Sequence, residues 1–133
     1  MALLSVRYLS DISIPLAGND IMNTERQNMI KTHVECPTEY TASLLGNRWK
    51  PLILRELLTG TKRYNELRRA VIGVSPKVLT ENLRDMEEDG LLNRRVYPEV
   101  PPRVEYTLTT KGEDLRPIIE AMKGYGEKYS NAE

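Results

Sequence analysis

The 133-residue sequence contains no phenylalanine, one cysteine, one histidine and one tryptophan, and its 19 Lys and Arg are balanced by 19 Asp and Glu. Each shortage closes a class of explanation. Without Phe, packing falls to Leu, Ile, Val, Met and the seven tyrosines. The single thiol, Cys36, excludes an internal disulfide framework and a cysteine-based metal cluster. It makes a reducing cytoplasm the expected compartment. A formal net charge of zero excludes a uniformly basic nucleic-acid binder. The only histidine, His33, is accompanied by neither a phosphate-cradling Gly loop nor a metal-ligand cluster. No enzymatic activity, metal or cofactor is therefore expected. The acidic run Glu87-Glu88-Asp89 sits at a helix end and reads as a solvated face. No apolar run reaches the length of a membrane span, so no membrane association is expected. Leu3, Leu4, Val6, Leu9, Ile12 and Ile14 are interrupted by Arg7 and Asp11, with no basic run ahead of them. That pattern is a poor signal peptide.

What is present fits one domain with a modest core. Hydrophobic content is 40% and charged content 29%, ordinary for a globular chain. Charge is unevenly spread. Residues 48–95 hold eleven Lys and Arg against seven Asp and Glu, and the remainder holds eight against twelve. A central segment more basic than its flanks suits one phosphate-facing surface. Residues 1–34 read as an N-terminal arm, either accessory or packed across a partner subunit, with Pro15, Gly18 and Asn19 marking a loop. Met22 and Met29 are read as candidate alternative starts, which would make the first segment optional. The organised domain is expected over residues 35–129, with a tail at 130–133.

The most informative stretch is Ser75 to Gly90, SPKVLTENLRDMEEDG. Ser75 is a good N-cap, Pro76 suits the first helical position, and Gly90 supplies a left-handed stop. Leu79, Leu83 and Met86 form one apolar stripe, while Lys77, Thr80, Glu81 and Arg84 line the opposite face. Those four side chains are of types that reach phosphates and base edges. Upstream, Pro37 and Glu39 start one helix that ends at Leu45-Gly46-Asn47. Trp49 reads as a core anchor at the head of a second, with Leu52, Ile53 and Leu57 apolar, Glu56 polar and Gly60 closing it. Lys62-Arg63-Tyr64 is a short strand or extended link. Asn65 is the expected N-cap of a short helix with Leu67 and Ala70 inward and Arg68 and Arg69 outward. Ile72-Gly73-Val74 turns into the Ser75 helix, completing a helix-turn-helix.

After Gly90 the period becomes two, over Leu92, Arg94, Val96 and again over Val104, Tyr106, Leu108. The Pro-rich 98–103 segment is a stiff hairpin loop. Arg94, Arg95 and Arg103 give this hairpin a positive edge, so it reads as a wing along the phosphates, with an arginine entering the minor groove. Thr109 is placed to cap the last helix, and Pro117 to kink it. Leu115, Ile118, Ile119, Met122, Tyr125 and Tyr129 form its apolar stripe, which is expected to meet a partner subunit or to fold back on its own domain. The expected fold class is mainly α with a small β-hairpin (α+β), a winged helix-turn-helix.

From Cys36 to about Glu127 the chain resembles the HxlR-type transcription regulators, a branch of the MarR-like winged-helix group. The matching stretches are C-P at 36–37, L-L-G-N-R-W at 44–49, L-I-L-R-E-L-L-T-G at 52–60 and R-Y-N-E-L-R-R at 63–69. They continue with the 75–91 segment and V-Y-P-E-V-P-P-R-V-E-Y-T-L-T at 96–109. The resemblance implies a homodimer, built through its terminal helices, that binds double-stranded DNA at an inverted repeat. Candidate DNA contacts are Ser75, Pro76, Lys77, Thr80, Glu81 and Arg84 on the recognition helix, Arg63 and Arg69 near its entry, and Arg94, Arg95 and Arg103 on the wing. The family also includes oxidant and electrophile sensors with a thiol at the C-P position, which makes Cys36 a candidate sensor. The positive end of a helix dipole favours the thiolate there, while Glu35 and Glu39 oppose it. One thiol per chain leaves an intersubunit disulfide, a mixed disulfide or alkylation as outcomes. A small-molecule effector is the alternative signal. The rival function is a winged helix used for protein–protein contact without DNA. Pairing of the exposed cations with Glu81, Asp85 or Glu99 would favour that rival.

Overall fold

The computed structural model describes residues 36–130, in two units, one ending at Gly46 and the other beginning at Asn47. The expected N-terminal arm and the last residues of the tail lie outside the described residues. In the first unit, α1 spans Pro37–Leu44. Its N-cap is Cys36, with Pro37 in the first turn and Glu39 beside the positive end of the helix dipole.

The second unit begins with α2, Trp49–Leu57. The Asn47 side-chain oxygen accepts from the Trp49 and Lys50 N–H groups at 2.8 and 3.1 Å, so Asn47 satisfies the helix's first donors. β1, Lys62–Arg63, leads directly into α3, Tyr64–Ala70. The expected cap at Asn65 is displaced to Arg63, whose N–H is held by Glu66 Oε1 at 3.0 Å. A side-chain acceptor three residues on fixes the chain's entry earlier than an Asx cap would. Gly73 takes φ +88° in the turn that follows, a conformation costly for any residue with a Cβ.

α4, Pro76–Glu88, is built as its sequence indicates. Ser75 Oγ accepts from Val78 N at 3.2 Å. At the other end Gly90 has φ +75°, and the Leu91 and Gly90 N–H groups return to the Met86 and Glu87 carbonyls. This reciprocal pair is a Schellman stop. β2, Leu92–Tyr97, and β3, Arg103–Leu108, form the hairpin, from Leu92 opposite Leu108 to Tyr97 opposite Arg103. β1 adds to the far edge of β3, giving a three-stranded antiparallel sheet in the order β1-β3-β2.

The C-terminal segment departs from expectation. Thr109 caps a separate short helix, α5, Thr110–Glu113, rather than the last helix. α6 then runs from Arg116 to Tyr129, with Pro117 in its first turn, where the missing N–H disturbs nothing and no kink is needed. Arg116 bridges the junction, donating to the Leu58 carbonyl at 3.0 Å and pairing with Glu113 at 2.8 Å.

The core joins Ile53, Leu54 and Leu57 of α2, Leu67 of α3, and Leu79, Leu83 and Met86 of α4 with Leu91, Leu92, Tyr106, Leu115 and Ile119. Aliphatic residues therefore carry the packing that the absent Phe would share. Tyr106 is the only tyrosine buried among the described residues, and Trp49 is half-buried with Arg48 stacked 4.6 Å over its ring. The anchoring expected of Trp49 falls to Ile53, Leu54 and Leu57.

Gly112 marks the closest approach in this core. A Cβ there would run into the Leu91 carbonyl oxygen, with Leu108 beside it. The Thr109 N–H is bonded to that same carbonyl at 3.0 Å. Backbone on both sides leaves little room to yield. Gly112→Ala is expected to destabilise the domain by about 1–3 kcal/mol, the usual range for overpacking, in a denaturant titration. An unchanged midpoint would show that α5 shifts freely.

Candidate nucleic-acid interface

The buried stripe of α4 fixes which of its residues face solvent. Leu79, Asn82, Leu83 and Met86 are buried, so Lys77, Thr80, Glu81 and Arg84 are presented outward, with Ser75 and Pro76 exposed at the amino end. Lys77 and Glu81 approach to 3.9 Å, but both are largely exposed. Such a pair is weak in water and easily exchanged for another partner.

The other expected contacts fall around two clefts. Arg84 and Arg94 line a cavity of about 360 Å³ between α4 and the sheet, together with Thr80, Glu87, Tyr64 and Tyr106. Arg63, Arg69 and Arg103 line an open notch of about 540 Å³ between α3 and the wing tip, with Glu66 and Glu99. Thus Arg63 and Arg69 are brought towards the wing, and Arg84 towards Arg94.

The expectation of one positive wing edge is corrected. Arg94 pairs across the hairpin with Tyr106 and Arg95 with Glu105, and neighbouring residues of a strand point to opposite faces. Arg94 faces the α4 cleft. Arg95 and Arg103 instead flank the Tyr97 ring at 4.9 and 4.0 Å. Arg103 also pairs with Glu99 at 3.2 Å and lies 3.8 Å from Glu105. Its guanidinium is tied back into the hairpin and stiffens it. The outermost apolar residue, Val100, is fully exposed between charged and proline neighbours.

Tyr64 joins this site although its sequence position suggested only a short strand or link. Its hydroxyl donates to the Pro76 carbonyl at 3.2 Å and shares a hydrogen bond with Thr80 Oγ1 at 3.4 Å. It thereby ties α3 to the amino-terminal half of α4. An aromatic residue with a polar tip just ahead of a short basic helix was the available signal.

The terminal stripe is also divided. Leu115 and Ile119 are buried within their own domain, so they are core residues rather than dimer contacts, and Ile118 is half-buried. Met122, Tyr125 and Tyr129 remain 48%, 71% and 63% exposed. An apolar groove of about 410 Å³ between α2 and α6, lined in part by Pro51, Leu52, Leu58, Ile119 and Met122, leads towards them. Cys36 is exposed and makes no side-chain cap hydrogen bond. None of the described helices is long and apolar enough to cross a membrane.

The outward helix, its supporting turn and the adjacent three-stranded wing define a winged helix-turn-helix of the kind used by transcription regulators. The HxlR-like helix-turn-helix family model matches residues 44–133, and the chain belongs to that family of transcription regulators, which are not enzymes. Among its relatives is the HTH-type transcriptional regulator YdeP of Bacillus subtilis strain 168. The two are 45% identical over 96 residues, covering 72% of this chain and 75% of YdeP. A MarR-family chain from Porphyromonas gingivalis W83 superimposes with a TM-score of 0.70 at 38% identity, covering 72% of this chain and 94% of that one. The redox regulator HypR in its oxidised form gives 0.68 at 41% identity, over 73% of this chain and all of that one.

The Tyr106 phenol has a titration that reports on the cleft. Burial pushes it above the ordinary tyrosine range, against the pull of the Arg94 guanidinium hydrogen-bonded to it. The neutral phenol is therefore favoured by folding. Its contribution is complete below the unfolded value of about 10 and is lost as pH rises through the higher folded value. Tyr106→Phe is expected to give a shallower alkaline decline in melting temperature than the parent. Superimposable pH profiles would mean the phenol is not shielded.

Proposed function

We propose that this regulator acts as a homodimer that reads an inverted-repeat DNA operator with α4 in the major groove. The observation that carries the reading is the outward face of α4. Lys77, Thr80, Glu81 and Arg84 stand on a helix whose opposite face is locked into the core. Lys77 supplies a phosphate contact, and Arg84 a bidentate donor for a guanine edge or a phosphate. Thr80 and Glu81 are suited to base edges, and Ser75 and Pro76 place the helix's amino end against the backbone. Arg63 and Arg69 extend the phosphate surface towards the wing, and Arg94 continues it beside Arg84. Arg95 and Arg103 serve this surface mainly by holding the wing. The Arg103–Glu99 pair, and more weakly the Lys77–Glu81 pair, favour the rival protein-contact reading, because they offset charge at the wing tip and on the α4 face. Family membership and the exposed α4 face weigh against that rival.

Two protomers are expected to meet through Met122, Tyr125 and Tyr129, with Ile118 at the margin. Exposed apolar residues in one stripe, continuous with a groove, suit a second copy of the chain. A two-fold dimer places its recognition helices on half-sites about one helical turn, or a multiple of it, apart. Cys36 is the proposed thiol sensor. Its exposure at a helix N-terminus and the likeness to a redox regulator support that reading.

Three outcomes test these assignments. Arg84→Ala is expected to weaken operator binding by roughly 1–3 kcal/mol in fluorescence anisotropy while leaving random DNA nearly unaffected. Equal loss on both would make Arg84 a phosphate contact only. Met122→Glu with Tyr125→Glu is expected to yield monomers in sedimentation velocity, and a persistent dimer would place the interface elsewhere. Mild oxidation is expected to change operator affinity in the parent but not in Cys36→Ser. A matching response in both would remove Cys36 from sensing.

A further inference from the structure

The recognition helix is held by more than its apolar stripe. Within that stripe lies Asn82, only 5% exposed. Its side-chain NH2 donates to the Val78 carbonyl of its own helix at 2.7 Å. Its oxygen accepts from Asn47 Nδ2 at 2.8 Å. The other end of the Asn47 amide caps α2, as described above. Three residues further along the chain on both sides is a second polar rung. Lys50 of α2, 2% exposed, brings its ammonium to 3.5 Å from Asp85 of α4. The rungs Asn47–Asn82 and Lys50–Asp85 therefore follow one another by about one turn on α4, and by three residues from the cap of α2 into its first turn.

Hydrophobic contact is non-directional, so Leu79, Leu83 and Met86 alone permit α4 to rotate or slide a little on α2. The buried Asn82 amide and Lys50 ammonium do not, because moving either away from its partner, the exposed Asn47 or the one-third-exposed Asp85, costs a directed contact made by a desolvated polar group. A single buried Asn sets register between helices in the same way in coiled coils. We propose that Asn47, Asn82, Lys50 and Asp85 form a two-rung clasp that fixes the rotation and axial setting of α4. Asn82 and Asp85 act as positioning residues that determine how Lys77, Thr80, Glu81 and Arg84 meet the bases. They touch no DNA themselves. This inference rests on the DNA-reading function proposed above, and it adds residues on the concealed face of α4 to those that set its specificity.

The test uses the full chain with Asn82→Leu and, separately, Asn47→Ser. Leu fits an apolar stripe and removes the first rung. Ser retains an oxygen able to cap α2 but is too short to cross to Asn82. Binding is measured to a duplex enriched from random DNA by the parent protein and to an unselected duplex of equal length, alongside thermal melts. The expected result is a folded protein whose preference for the enriched duplex falls about tenfold, comparable to losing one base contact. Affinity for the unselected duplex stays unchanged. A preserved preference in folded variants overturns the clasp. Should Asn82→Leu not fold, Asn47→Ser decides by the same criterion. If the parent prefers no duplex, the DNA-reading function fails on its own. The clasp is then decided by residual dipolar couplings of α4 relative to α2 in the two variants. A reoriented α4 supports it, and an unchanged one overturns it.

Discussion

The burial of one face of α4 is the constraint on which the rest depends. Leu79, Leu83 and Met86 are withdrawn from water against α2 and the start of β2. Each such side chain contributes about 1.5–3 kcal/mol when fully buried. Because that face is committed, the opposite one has to be solvent-facing, and its four polar residues are displayed together. The caps at Ser75 and Gly90 set where this display begins and ends. The turn at Gly73, the Tyr64 hydroxyl and the hairpin all act on the same helix from outside, and each limits where it can go.

The wing illustrates how charge and geometry separate. Counted along the sequence, Arg94, Arg95 and Arg103 make a basic hairpin. In the fold, one faces the cleft beside Arg84, and two enclose a tyrosine ring and meet carboxylates. A guanidinium stacked on an aromatic and paired with Glu99 is an organiser of the hairpin more than a free phosphate ligand. Among the candidate contacts, the cations not enclosed by the hairpin are Lys77 and Arg84 on α4, Arg63 and Arg69 at the two ends of α3, and Arg94 on one face of the sheet, all within the central segment that is more basic than its flanks.

Local chemistry was readable in the residues. The ends of α4 follow from an N-cap, a first-turn proline and a terminal glycine, and the hairpin from a change of period. The resemblance to the HxlR-type regulators, carried by motifs from Cys36 to Thr109, agrees with the family match over residues 44–133. What depended on distant partners was not readable. A lysine two residues ahead of an apolar run gives no sign of burial until Asp85 is placed beside it. Leu115 and Ile119 carry the same helical period whether they meet their own core or a second chain. Strand alternation did imply that Arg94 and Arg95 point apart, and grouping them by charge concealed it. Asn82 was also visible as a polar residue inside an apolar stripe, a break in pattern that marks a constraint rather than a defect.

The central claim, that α4 is displayed to read DNA, is tested most directly by selecting DNA from a random pool with the purified full chain and sequencing what it retains. The account predicts enrichment of an inverted repeat whose half-sites lie roughly 10 base pairs apart, or a multiple of that, as two-fold related recognition helices require. Retention without any enriched sequence, or no retention at low salt, would contradict it and leave the winged helix as a surface for protein contact.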